Sequence, residues 1–199
     1  MFSQLALPGI AALKAPINRF FFAVLPDHET GCRIHQYART ILGTYGLHSK
    51  LIHLQRLHLS LQHLGDFAGV PRAWIEMAQL SAERVDTSEF DLMLDSALTF
   101  GGREKSTQQQ PCVLMASDAT AFRDLHIRIC RAMQSHGVDI PDRRITPHVT
   151  MFYDHAVVKA RPVDPIILRV REFVIVHSRS GTGQPFGIVG RWKLRQCFF

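Results

Sequence analysis

Two short stretches carry the residue types needed for proton-transfer chemistry. The first is Arg56-Leu57-His58-Leu59-Ser60-Leu61, and 90 residues after its histidine a near-copy returns as Ile145-Thr146-Pro147-His148-Val149-Thr150-Met151. In each, a histidine is followed two residues on by a hydroxyl residue, with an apolar residue between. Residues i and i+2 share a face of a β-strand. Leu57, Leu59 and Leu61 are therefore expected to face a core, with His58 and Ser60 on the other side. Val149 and Met151 are expected inward, and His148 and Thr150 outward together.

Imidazole changes protonation near neutral pH. Two of them across a phosphate can divide the work, one taking a proton from an attacking water and the other protonating the departing oxygen. The hydroxyls of Ser60 and Thr150 can donate to non-bridging oxygens, where negative charge accumulates. The scheme uses no metal and no cofactor, and it suits a strained ring such as a 2',3'-cyclic phosphate. A lone strand histidine is more often held by local hydrogen bonds. The repeat, each time after a helical stretch, is what favours chemistry here.

Other residues near these stretches are candidates of a weaker kind. Arg143 and Arg144 precede the second histidine and can steer a phosphate, or form an ordinary solvated turn. Tyr153, three residues after Thr150, is a further candidate for the substrate side. Phe186 and Trp192 can stack on a base, although aromatic residues in a C-terminal strand more often belong to a core. His53, His58 and His63 recur at intervals of five, which matches neither helical nor strand spacing, so a metal site is not expected from them. His63 either lines the groove or faces solvent.

Arg19 to Leu25 is a short aromatic run expected as a buried strand, ending at Pro26-Asp27. Asp27 is placed to cap a helix from His28 to Tyr45, stopped by Gly46. After the first histidine strand, Pro71 opens a helix with Trp74, Met77, Ala78 and Leu80 on its apolar side. Phe90 to Phe100 and Pro111 to Ala116 read as strands around a polar loop. Asp118 or Thr120 starts a helix to Ser135, which turns Phe122, Leu125, Ile129, Ala132 and Met133 inward. The second histidine strand follows the Asp142-Arg143-Arg144 turn. His155 to Pro165 reads as a linker. Ile166 to Ser178 and Phe186 to Leu194 read as two β-runs joined by a hairpin turn. Short strands mixed with three helices make the expected class α+β.

Composition bounds the rest. Hydrophobic residues are 46% and charged residues 20% of the 199, enough for a packed core and against wholesale disorder. A formal charge of +6, mostly arginine on the basic side, permits an anionic partner such as RNA. Four scattered cysteines with no C-x-x-C pair are expected as reduced thiols of a cytoplasmic protein. The opening Met1 to Asn18, broken by Pro8, Gly9 and Pro16, reads as a loose extension and not a signal peptide. No stretch reaches the roughly 20 apolar residues that span a bilayer, so no membrane partner is expected.

The sequence resembles the two-histidine phosphoesterases, and among them the RNA 2',3'-cyclic phosphodiesterases also described as 2'-5' RNA ligases. The resemblance rests on Arg19-Phe20-Phe21-Phe22-Ala23-Val24-Leu25-Pro26, on Leu57-His58-Leu59-Ser60-Leu61-Gln62-His63-Leu64-Gly65 and on Pro147-His148-Val149-Thr150-Met151. Phe173 to Ser178 and Gly190-Arg191-Trp192-Lys193-Leu194 match the family's C-terminal hairpin. The resemblance implies one bilobal α+β domain over residues 19–199, with two antiparallel-rich sheets, helices outside and a central groove. It implies a monomer that hydrolyses a 2',3'-cyclic phosphate end of RNA, or a related cyclic nucleotide, to a 2'-phosphomonoester. By the same resemblance His58 is the proton donor, His148 the acceptor, and Ser60 and Thr150 hold the phosphate. Reversible 2'-5' ligation, cleavage of 2'-5' oligonucleotides and RNA binding without chemistry stay open as alternatives. Many members carry an arginine where this chain has Tyr153, and Arg144 is the candidate to replace that phosphate contact.

Overall fold

The computed structural model describes residues 17–102, 106–138, 140, 145–179 and 181–196. Most of the expected N-terminal extension and the whole Asp142-Arg143-Arg144 turn, with Arg144, lie outside the described residues. In chain order the elements are β1 (Asn18–Val24), α1 (His28–Tyr45), a 3-10 turn (Leu54–Arg56), β2 (Leu59–Phe67), α2 (Arg72–Ala82), β3 (Phe90–Thr99), β4 (Gln110–Met115), α3 (Thr120–Ser135), β5 (His148–Asp154), β6 (Arg161–Val170), β7 (Glu172–Arg179) and β8 (Gly187–Lys193). They form two four-stranded antiparallel sheets, ordered β2-β1-β7-β8 and β5-β4-β3-β6. This is the expected α+β architecture.

Local chemistry accounts for the helix ends. The Asp27 side chain accepts from the Thr30 backbone N–H at 2.7 Å and caps α1. That hydrogen bond holds the Asp27 carboxyl below the usual carboxylate range. Gly46 closes the helix in the left-handed region, φ 63°, which a side chain disfavours. Asp118 accepts from the Thr120 N–H at the start of α3.

Three expectations are corrected. Leu80 is 55% exposed, whereas Ala78 is buried as expected together with Ile75, Ser81 and Ala82, and Trp74 and Met77 pack half-buried on the core. The expected linker from His155 to Pro165 ends in strand β6, which holds Pro162 and Pro165. β6 is the edge of its sheet, where a residue without an N–H is tolerated. The expected single run from Ile166 to Ser178 breaks at Arg171, and its halves β6 and β7 enter different sheets. The expected hairpin of the last two strands is present as β7–β8.

The two halves repeat one unit. In β1–α1–β2 and again in β4–α3–β5, the two strands pair antiparallel and the second is a sheet edge. The helices are exchanged between halves: α1 packs on β5 and β6, and α3 packs on β2 and α2. One apolar core runs through both, with Phe20, Phe22, Phe122, Phe152 and Phe173 fully buried. Among the described residues, no helix is long and apolar enough to cross a membrane.

Candidate active site

Edge strands β2 and β5 face one groove of about 570 Å³, lined by His58 and Ser60 from one side and by His148 and Thr150 from the other. Leu57, Leu59 and Leu61 are buried beneath the first pair, and Val149 and Met151 beneath the second. His58 lies one residue before β2, whereas His148 opens β5.

Each imidazole is oriented in the same way. The Nδ1 of His58 lies 2.9 Å from the carbonyl of Arg56, and the Nδ1 of His148 lies 2.7 Å from that of Thr146. A carbonyl oxygen only accepts, so both Nδ1 atoms carry the hydrogen and both Nε2 atoms are left for the groove. Phe21 and Phe186 enclose the His58 ring, with centroids 5.1 and 5.2 Å away, and Phe100 lies 4.8 Å from the His148 ring. Burial pushes the His58 imidazole below its ordinary pKa. The Arg56 carbonyl opposes that shift, while the neighbouring His148 and Arg56 add to it.

Both strands are bulged directly after the hydroxyl residue. On β2, Ser60 pairs with Ala23 and Gln62 with Phe22, so Leu61 is an extra residue. On β5, Thr150 pairs with Val113 and Phe152 with Cys112, so Met151 is extra. A bulge shifts the alternation by one. His63 therefore lines the groove with His58 and Ser60, and Tyr153 lines it with His148 and Thr150. Without the bulges both would point toward the core.

The groove also holds residues that strand patterning did not single out. Arg19 lines it, its guanidinium donating to Asp66 from Nε at 2.8 Å and from Nη2 at 2.7 Å. That pairing lowers the Asp66 pKa and raises that of Arg19. His63 Nε2 sits 3.6 Å from the same carboxylate. Arg56 lies over the Phe186 ring at 4.8 Å and donates to the Gln184 carbonyl. The arginine signal was in the sequence, since Arg56 is part of the first motif. Its contact with Phe186, 130 residues further along the sequence, was not.

Of the remaining candidates, Tyr153 and Phe186 are in the groove. Trp192 is not: it stacks on Phe173 at 5.4 Å and packs over Gly190, where a Cβ would lie 2.3 Å from the indole. His53 accepts from the Gln55 N–H in the 3-10 turn and does not join His58 and His63. Cys112 and Cys130 are buried, and burial pushes the Cys112 thiol up to about 12, so it is no nucleophile at neutral pH.

No family model matches the sequence, and no curated relative is found for it. Solved structures do match the fold. A phosphoesterase aligns with a TM-score of 0.68 and 23% identity over 91% of this chain and 99% of that one. E. coli LigT complexed with 3'-AMP aligns with a TM-score of 0.68 and 20% identity over 90% and 99%. TT0787 of Thermus thermophilus aligns with a TM-score of 0.69 and 21% identity over 89% and 98%. Nearly the whole length of each neighbour is matched, and the chain thus shares the α+β fold of these structures.

Proposed function

We propose that this chain is a two-histidine phosphoesterase that hydrolyses 2',3'-cyclic phosphate ends of RNA to 2'-phosphomonoesters, without a metal. The observation that carries this reading is the shared groove of His58 and His148, each with Nδ1 anchored on a carbonyl and each beside a hydroxyl residue. His148 takes a proton from water as the water oxygen bonds to phosphorus. The bond from phosphorus to the 3'-oxygen breaks, and His58 delivers a proton to that oxygen. Ser60 and Thr150 donate to the non-bridging oxygens as charge builds there.

The walls suit a nucleotide. Phe186 offers an aromatic face beside His58, with Arg56 stacked on it. Arg19 and Tyr153 stand on opposite walls further along the groove. With Tyr153 in place of the family's common arginine, Arg19 and Arg56 are the described groove cations available to a phosphate. E. coli LigT structures hold NADP+, 3'-AMP and ATP, which supports nucleotide ligands for a groove of this shape.

The test is incubation of the purified protein, with chelator present, with an oligonucleotide ending in a 2',3'-cyclic phosphate. A 2'-phosphate product is expected. A 3'-phosphate product, a joined 2'-5' product or no product contradicts the reading.

A further inference from the structure

The bulges after Ser60 and Thr150 leave backbone groups outside the regular ladder, and both are held from the opposite half of the fold. The Leu61 carbonyl, on the extra residue of β2, accepts from Nδ1 of His126 on α3 at 2.8 Å. His126 is 2% exposed, so this hydrogen bond is made inside the protein. Two residues in the same patch extend the brace. Cys130 Sγ donates to Gln62 Oε1 at 3.6 Å, and Gln62 Nε2 donates to the His63 carbonyl at 3.0 Å.

The second half repeats the device with one added link. The Met151 carbonyl, on the extra residue of β5, accepts from the Ile52 N–H at 2.8 Å. The Ile52 carbonyl in turn accepts from Nε2 of His35 on α1 at 2.7 Å. Each exchanged helix thus carries one histidine that secures the bulge of the other half's motif strand.

We infer that His126 and His35 are positioning residues: they hold the bulges that keep His63 on the groove face with His58 and Ser60, and Tyr153 with His148 and Thr150. Neither lines the groove, so neither is a proton donor or acceptor to substrate. A bulge released from its carbonyl partner can return the strand to regular pairing, which rotates the following side chains to the other face. A misplacement of about 1 Å at a reacting group can cost on the order of 10²-fold in rate.

The chemistry of the donors gives a matched test. An asparagine amide can place its N–H near the position of Nδ1, and a glutamine amide near that of Nε2. His126→Phe is expected to lower kcat/KM on a nucleoside 2',3'-cyclic phosphate by about 10- to 100-fold, and to weaken inorganic phosphate binding in calorimetry. His126→Asn is expected to restore most of both. His35→Leu and His35→Gln form the same pair for β5, and they decide the matter if His126→Phe does not fold.

Only the kinetic arm rests on the cyclic phosphodiesterase reading. Wild-type protein that binds phosphate without turnover retires the reaction, and the phosphate titrations still judge the positioning roles. Folded apolar variants that match wild type in both readouts, or amide variants that fail to recover either, overturn the inference. A wild-type groove that binds no phosphate overturns both.

Discussion

His58 and His148 are anchored by one and the same contact, Nδ1 to the carbonyl two residues earlier, at 2.9 and 2.7 Å. The contact sets the tautomer of both rings and directs both Nε2 atoms at a shared groove. Two halves related by a repeated strand–helix–strand unit thus contribute one equivalently anchored imidazole each. The hydroxyl partners follow the same rule, as do the bulges behind them.

Removal of one hydroxyl should weaken transition-state stabilisation and leave the fold intact. Thr150→Val and Ser60→Ala are each expected to lower kcat about 10²- to 10³-fold. Thr150→Ser, which keeps the donor, should stay near wild type. Steady-state kinetics on a cyclic-phosphate substrate check this, and a Thr150→Val variant with full kcat rules out the assigned role.

The pH profile should report the depressed His58. As proton donor it must be charged, so activity falls as pH rises through its pKa. In the free protein burial sets that pKa below the ordinary imidazole value of about 6.5. A bound phosphate anion favours the charged ring and raises it. The basic limb of kcat, which reads the complex, is therefore expected at higher pH than that of kcat/KM, which reads the free protein. Coincident limbs, or the reverse order, contradict the donor role.

Neighbouring phenylalanines on β1 should separate function from stability. Phe22 is fully buried in the main core against Phe173 and Trp192. Phe22→Ala is expected to cost about 3–5 kcal/mol in denaturant unfolding. Phe21 instead packs on His58 and Phe186 at the groove. Phe21→Leu should disturb catalysis more than stability, read as a fall in kcat with a cooperative unfolding transition retained.

Much of this arrangement was legible in the sequence because it is local. The alternation around His58 and His148, the Asp27 cap and the Gly46 stop all depend on near neighbours, and each is present. What was not legible depends on pairing. The extra residues Leu61 and Met151 look like any inward apolar residue, so nothing in spacing alone assigns His63 and Tyr153 to the same face as the histidines before them. The split of Ile166 to Ser178 between two sheets is likewise invisible in a continuous β-rich run. Pro162 and Pro165 suggest a linker until the edge position of β6 is known. Arg19 and Arg56 reach the groove through contacts with Asp66 and Phe186 that are distant in sequence.

Joint action of two imidazoles on one phosphorus atom is read out by a double-mutant cycle. His58→Ala and His148→Ala are each expected to lower kcat/KM on a 2',3'-cyclic-phosphate oligonucleotide by about 10²- to 10⁴-fold. The double variant should lose little more than either single one, because a step already deprived of one partner gains little from the other. Near-wild-type turnover in either single variant, or losses that simply multiply in the double, would contradict concerted two-histidine catalysis.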